Sequence, residues 1–437
     1  MSGRSTAIEG RLRGYIIPNV LAMTGTSCYV LADTFFIAWN QGADGITALN
    51  LALPLFGLIY AVGSMLGVGS ATRYALYKAL GDPEADNYLT NAILWVLLAG
   101  LAFIAAGLCL PRAILVWMGA DETILAIGQP YVAIVLCFAP LFMLNHTCTA
   151  FVRNDGSPNI AMAATVVSGL FNIVFDYIFM FPMGLGMVGA ALATGFSPVV
   201  SMLLCLFHFL SPRNTLRLVR LLPSPLRLLR ACRLGVAAFV GEISSGVTTM
   251  VFNFILLGLG GNVAVAAYGV IANLAFVGMA LFNGVSQGLQ PLASEVHGKG
   301  DAPAEARIYR HALRIALAIA AALVGAVLLL ADPLVAVFNS EGSQALADYA
   351  VPGIRLYFLG FLLAAVNLVR AGFYSATDHS LESSVIALSR GIFAIVFFAF
   401  LLSRLWGVTG VWLSFLASEL FTFLLLFLVR TFSRKRT

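Results

Sequence analysis

Twelve apolar stretches, each about as long as a bilayer-spanning helix, limit what this chain can fold into. A helix needs about 20 apolar residues to cross a bilayer, whereas a spanning strand alternates in polarity over about ten residues. These stretches do not alternate, and 10% of the 437 residues are charged, against roughly 25% in soluble domains. We therefore predict an all-α membrane protein with twelve transmembrane helices. They cover residues about 15–39, 46–72, 89–110, 124–149, 159–181, 187–210, 234–258, 264–290, 308–330, 345–371, 383–402 and 408–430.

The distribution of Lys and Arg predicts the orientation of these spans. Basic residues gather in both tails and in alternate loops, whereas the other loops carry Arg112, Arg355 and Arg404. Because positive charge marks the cytoplasmic side, we expect a multi-pass protein of the cell (plasma or inner) membrane with both termini cytoplasmic. The net charge of +5 is then a topology signal, and no nucleic-acid partner is expected.

The longest polar connection divides the chain into two halves of six spans. Residues 211–233 hold Pro-Ser-Pro and six Arg, a composition typical of a basic segment on the membrane surface. The competing interpretation is that the positive charge of this segment only fixes the membrane topology. The predicted organisation is a cytoplasmic tail, an N-lobe, a cytoplasmic linker, a C-lobe and a basic cytoplasmic tail, at residues 1–13, 14–210, 211–233, 234–430 and 431–437.

The two halves are an internal repeat. Segment 42–82 parallels segment 261–301, and GMVGAAL (186–192) parallels GVTGVWL (407–413). Six is an even number, so both halves insert with the same orientation. We therefore expect two six-helix bundles related as a parallel repeat.

Four polar residues of the first half face apolar residues in the second. In GLFNIVFD (169–176) beside GIFAIVFF (391–398), Asn172 faces Ala394 and Asp176 faces Phe398. The scaffold common to both halves does not require these polar groups, which makes them candidates for a working site. The other two pairs are Asp33 with Phe252 and Thr194 with Phe415.

The chemistry of these four residues suits a small cation. Asn172 and Asp176 are four residues apart and share a helix face, and Thr194 follows on the next span. Asp33 would have to reach them by packing of the first span. Two carboxylates, an amide and a hydroxyl form an all-oxygen set for a hard cation such as Na⁺, and paired carboxylates also suit a proton. For each residue alone, a structural hydrogen bond to a neighbouring helix is the competing interpretation.

Two glutamates also lie within predicted spans, where a charge costs about 2.5–3.5 kcal/mol on insertion scales. Glu242, in FVGEISSG, is a candidate carboxylate for a cationic substrate, and an interfacial structural role is equally compatible with its position. Glu419, in ASELFTF, is interpreted as structural. Neither has a Lys or Arg at a helical neighbour position in its own span, which leaves a partner on another helix.

The sequence carries no signature of an enzyme or a cofactor. It has no G-x-x-x-x-G-K-[ST] phosphate loop, so this chain is not expected to hydrolyse ATP. Its five His lack metal-site spacing and its six Cys lack C-x-x-C spacing. An intramembrane enzyme would need such motifs, and an ion channel would repeat its selectivity segments in both halves.

In the order and placement of its motifs the chain resembles the multidrug and toxic compound extrusion (MATE) family over residues about 14–430. The motifs that carry the resemblance are ADTFF with Asp33, FNIVFDYIF with Asn172 and Asp176, GAALATGF with Thr194, and GVSQGLQPLASEVHGKGD with Gln287, Gln290 and Pro291.

The resemblance implies an efflux antiporter that exports small cationic or amphipathic compounds by alternating access, driven by Na⁺ or H⁺. It implies a cation-coupling site at the four N-lobe residues, and no cofactor or obligate protein partner besides the bilayer and a small-molecule substrate. Glu242 and Gln287 would belong to a second-lobe substrate or cation site, although the tenth span lacks the acid that some members have. A related lipid-linked oligosaccharide flippase is the alternative, but its basic cavity contrasts with the acidic spans here.

Overall fold

The computed structural model describes residues 2–338 and 343–433, which form thirteen α-helices, one π-helical turn and no strand. Residues 434–437 of the predicted basic tail lie outside the described residues. The helices are α1 (Ser2–Ala79), α2 (Glu84–Cys109), α3 (Pro111–Trp117), α4 (Glu122–Asn154), α5 (Pro158–Met180), α6 (Gly186–Phe209), α7 (Pro225–Gly298), α8 (Ala302–Leu329), α9 (Ala331–Phe338), α10 (Gln344–Leu359), α11 (Phe361–Ala376), α12 (Ser380–Leu388) and α13 (Ala394–Ser433), with the π-helical turn at Ser389–Phe393.

The described helices account for all of the predicted membrane spans. Ten are long and apolar enough to cross a bilayer, and α10 with α11, bent by 42°, form an eleventh. The stretch Ser380–Leu426 has 47 residues, about 70 Å of helix at 1.5 Å per residue, which is more than twice the hydrocarbon core of about 30 Å. Its backbone leaves helical geometry at Trp406 and Gly407, between the last two predicted spans. The prediction of an all-α membrane protein is confirmed.

The internal repeat is visible in the backbone dihedrals. Gly42 and Gly261 both have φ of 63° and break α1 and α7 into two spans each. Gly81 and Gly300 end the second span of each half with φ of 70° and 69°. Glycine adopts such angles without a Cβ clash. The same chain reversals therefore recur at the same register in both halves.

The backbone packs as two compact units. The N-terminal unit comprises Ile17–Glu242 and Ser294–Gly300, and the C-terminal unit comprises the residues up to Ile16, Ile243–Ala293 and the residues from Asp301 onward. The N-terminal unit thus includes the predicted linker 211–233 and Glu242. It is organised around a core of large side chains from α1 and α4, among them Phe56, Tyr131 and Phe142.

Residues 214–224, which we call the strap, form a non-helical part of the predicted linker and are fixed to the N-terminal unit. The amide of Val219 donates to Thr90 Oγ1 at 3.0 Å, and the amide of Ser224 donates to Asn91 Oδ1 at 2.7 Å. Just after the strap, Arg227 donates to Glu84. The linker is therefore attached to the side of α2.

Asp155 anchors the beginning of the strap. Its carboxylate accepts hydrogen bonds from Tyr74 at 2.7 Å, from the Thr215 amide at 2.8 Å, and from Lys78 and the Thr215 hydroxyl. His208 Nε2 lies 2.8 Å from its second oxygen. Burial opposes ionisation of Asp155, but these donors outweigh it and hold the pKa of the carboxyl below its usual value.

We expect Asp155→Asn to destabilise the protein at pH 7 by about 1.5–3 kcal/mol, the worth of hydrogen bonds to a charged group. A depressed pKa means that the carboxylate stabilises the fold above its unfolded pKa of about 3.9 and that this contribution is lost as pH falls through the folded value. In thermal unfolding in detergent, the difference in unfolding midpoint between wild type and variant should therefore narrow below about pH 4.

The matched control is Glu122→Gln, because Glu122 pairs with Arg112 at an exposed position and such pairs contribute about 0–1 kcal/mol. Equal stability of wild type and Asp155→Asn at pH 7 would contradict the anchoring role.

Candidate functional site

The N-terminal unit brings three of the four predicted polar residues into one buried cluster. Asn172 and Asp176 lie one turn apart on α5, and Thr194 lies on α6. Asn172 Nδ2 donates to Thr194 Oγ1 at 3.2 Å. Asn172, Asp176 and Thr194 are 1%, 0% and 7% exposed, so the cluster lies in the interior of the unit.

Close packing of α5 on α6 positions this cluster. The turn between them covers residues 181–185. A Cβ at Gly189 would lie 2.8 Å from the carbonyl carbon of Phe179, so the approach requires glycine. Ser168 Oγ donates to the carbonyl of Ser197 at 2.6 Å on the other side of the cluster. These contacts hold Thr194 against the face of α5 that carries Asn172.

Aromatic packing of the first span on the end of α5 brings Asp33 to the same place. One turn after Asp33, the ring of Phe36 lies 6.1 Å from that of Tyr177, and Trp39 lies 4.9 Å from Phe181. The carboxyl groups of Asp33 and Asp176 are close enough to interact electrostatically.

The carboxyl groups of Asp33 and Asp176 can share a hydrogen bond when one of them is protonated, but while both are ionised four oxygen atoms of this cluster have no hydrogen-bond partner. They are Asp33 Oδ1, Asn172 Oδ1 and both carboxylate oxygens of Asp176. Buried polar atoms are nearly always hydrogen-bonded, and leaving one unsatisfied costs about 1–3 kcal/mol. Acceptors without donors are complemented by a cation or by a proton, and oxygen is the ligand that hard cations such as Na⁺ prefer. The residues present therefore fit either coupling ion.

Two tyrosines that the sequence does not single out complete the surroundings of the cluster. Tyr131, on α4, is fully buried, its hydroxyl has no hydrogen-bond partner, and it interacts electrostatically with both aspartates. Tyr29 interacts with both as well, and its ring packs on α5 where a Cβ at Gly169 would lie 3.0 Å away. Tyr29 precedes Asp33 by one helical turn, so its place beside Asp33 could have been predicted from the sequence. Tyr131 is remote from every site residue along the chain, so its place could not.

In the C-terminal unit, aromatic rings occupy the corresponding register. Phe252, at the register of Asp33, has its ring 6.3 Å from Tyr357, and Phe415, at the register of Thr194, stacks on the same Tyr357 at 4.4 Å. Phe398, at the register of Asp176, lies 5.9 Å from Phe421. Aromatic contacts at Tyr357 and at Phe421 therefore replace the polar groups of the other half.

The structure does not bring Glu242 and Gln287 into one unit. Glu242 belongs to the N-terminal unit, where Ser64 Oγ lies 3.5 Å from its Oε1. Gln287 lies on α7 within the C-terminal unit and is half-buried. Their assignment to a substrate or cation site stays a prediction.

Glu419 has charged and polar partners on other helices. Arg390, in the π-helical turn, donates from Nη2 to its Oε1 at 2.6 Å, and Asn367 Nδ2 donates to its Oε2 at 2.8 Å. The side chains of Arg390 and Glu419 are 8% and 1% exposed. This arrangement supports the structural interpretation of Glu419, and its cation comes from the preceding span.

Comparison with known proteins places the chain among transporters. The MatE family model matches residues 18–178 and 237–401, once in each half. The multidrug export protein MepA of Staphylococcus saprophyticus is 25% identical over 419 residues, which cover 95% of this chain and 92% of that protein. MepA of Staphylococcus aureus strain MRSA252 is 25% identical over 408 residues, covering 93% and 89%.

Solved structures have the same fold. The outward-facing conformation of a multidrug resistance MATE family transporter of the MOP superfamily matches with a TM-score of 0.90 and 23% identity, covering 98% of this chain and 97% of that one. A MOP superfamily transporter from Pyrococcus furiosus matches with a TM-score of 0.89 and 24% identity, covering 98% and 96%. Because the family model matches both halves, this chain belongs to the MatE family and is a MATE transporter rather than an enzyme.

Proposed function

We propose that the protein is a secondary antiporter that exports small cationic or amphipathic compounds in exchange for Na⁺ or H⁺. The observation that carries the proposal is the set of four unpartnered oxygens at Asp33, Asn172 and Asp176. The relatives described as multidrug export proteins support the direction and the substrate class. The acids within the spans favour a cationic or neutral substrate over an anionic one.

The coupling ion acts by changing the charge of the Asp33–Asp176 pair. A bound Na⁺ or proton supplies the electrostatic partner that the four oxygens lack, and Tyr131 interacts electrostatically with both aspartates. An ion that binds one conformation more tightly shifts the population toward it. For a neutral substrate, one charge moving inward across 100 mV contributes about 2.3 kcal/mol, enough for a roughly fifty-fold concentration gradient. Exchange of one monovalent cation for one coupling ion moves no net charge, so its driving force is the concentration gradient of that ion.

The proposed location is the plasma membrane, with both termini in the cytoplasm. The excess of Lys and Arg in alternate loops supports this orientation, and the bacterial MepA relatives support the membrane. Inward movement of the ion then follows the membrane potential, and substrate leaves the cell.

We expect Asp33→Asn and Asp176→Asn each to reduce ion-driven efflux in inverted vesicles or proteoliposomes at least tenfold, because the amide removes the exchangeable charge. Asp44→Asn is the matched control, since Asp44 is exposed and lies outside the cluster. Wild-type coupling in both site variants would overturn the proposal.

Measuring the thermal stability of the Asp176 variant distinguishes a loss of transport from a loss of folding. While both aspartates are ionised, neither oxygen of Asp176 accepts a hydrogen bond, so replacing the carboxylate removes no bond and relieves its repulsion with Asp33. We expect Asp176→Asn to keep or raise the thermal unfolding midpoint while it lowers transport. A large fall in that midpoint would show that the carboxylate has a structural role instead.

Thr194→Val distinguishes the two coupling ions. Na⁺ needs several oxygen ligands, whereas a proton needs one carboxylate. We expect the variant to raise the Na⁺ concentration for half-maximal efflux about tenfold and to leave efflux driven by a pH gradient unchanged. Thr165→Val is the control, because the Thr165 hydroxyl donates to Ala161 of its own helix. An equal loss under both gradients would contradict a ligand role for Thr194.

A further inference from the structure

The strap has two different sides. Within the strap, Leu216 is buried, and Val219, Leu221 and Pro223 are half-buried against the N-terminal unit. The side chains that point away are a mixture of basic and apolar groups: Arg217, Leu218, Arg220 and Leu222.

The two outward leucines, Leu218 and Leu222, are unusually exposed for apolar residues. Leu218 is 70% exposed and Leu222 is 86% exposed. The amides of Val219, directly after Leu218, and of Ser224, two residues after Leu222, are fixed to Thr90 and Asn91 on α2. The leucines therefore cannot turn inward without breaking backbone hydrogen bonds, and their exposure is a property of the anchored strap.

The attachment points set the depth of the strap. The 26 residues of α2 extend about 39 Å at 1.5 Å per residue, roughly 9 Å more than the hydrocarbon core of the bilayer. Thr90 and Asn91 lie in the second turn of α2, at the beginning of the predicted third span (about 89–110), which marks the boundary between headgroups and acyl chains. The strap thus runs beside a span at the level of the lipid headgroups.

We propose that the outward face of the strap (Arg217, Leu218, Arg220 and Leu222) binds anionic phospholipids at the bilayer surface. The guanidinium groups pair with the charged headgroup, because Arg binds phosphate oxygens in a bidentate manner. The leucines enter the acyl boundary, where their exposed area is removed from water. Basic residues beside exposed apolar ones are the composition of segments that lie in the membrane interface.

The test is a titration of the full purified chain with phosphatidylglycerol and with phosphatidylcholine, read as lipid-bound protein by native mass spectrometry. Each basic residue near the surface changes the affinity for anionic lipid about fivefold. We expect Arg217→Gln with Arg220→Gln to raise the half-saturating concentration of phosphatidylglycerol about thirty-fold and to leave that of phosphatidylcholine unchanged. Leu218→Ser with Leu222→Ser should weaken binding of both lipids.

The matched control is Arg310→Gln with Arg314→Gln. Both arginines are exposed on α8, so this variant loses the same charge as the strap variant at a site outside the strap. An equal loss in this control would overturn the proposal, since charge alone would then explain binding. Indifference of the wild type to headgroup charge would overturn it too. Competition by soluble glycerol phosphate at millimolar concentration would assign the site to free phosphate and reject a lipid. Unchanged unfolding midpoints would confirm that the variants remain folded.

Discussion

The cost of leaving a polar atom without a partner in an apolar environment governs this structure. In a bilayer every backbone amide and carbonyl must be satisfied within the segment, which makes helices the only open choice for these apolar stretches. The same cost acts on side chains, where an unsatisfied buried group costs about 1–3 kcal/mol. Polar side chains inside the spans are therefore few, and the partners of each one indicate what it does.

Three buried carboxylate clusters differ on this criterion. Asp155 is saturated with donors and fixes the strap. Glu419 is paired with Arg390 and Asn367, and removing one partner of such a pair typically costs 3–5 kcal/mol. Asp176 has no donor on either oxygen. The carboxylates of the first two clusters have donors within the protein, whereas the Asp176 carboxylate has none, and this contrast makes the Asp176 cluster the candidate ion site.

The local sequence pattern predicted the spans, because each span is a run of fewer than about 30 residues. Comparison of one half with the other predicted the repeat and the four polar residues. The close approach of Thr194 to Asn172 was also within reach, since a short turn joins their helices. The partners of Glu419 and the place of Tyr131 beside the aspartates were not. They depend on which faces of sequence-distant helices meet, and hydrophobic spacing does not encode that choice when helices are apolar on all sides. The anchoring of the strap was missed for a similar reason, because its partners Thr90 and Asn91 lie on α2, far from it along the chain.

The asymmetry between the halves has an energetic consequence for coupling. Four unpartnered oxygens represent roughly 4–12 kcal/mol of unsatisfied interaction. Moving a two-state equilibrium from 1:99 to 99:1 requires a difference of about 5.5 kcal/mol in ligand affinity between the states. In the proposed mechanism, an ion that satisfies these oxygens in one conformation supplies energy of the same order as this requirement. In the C-terminal unit, Phe252 and Phe415 pack against Tyr357 at the corresponding register and offer no oxygen ligands, so the proposed coupling depends on the N-terminal unit.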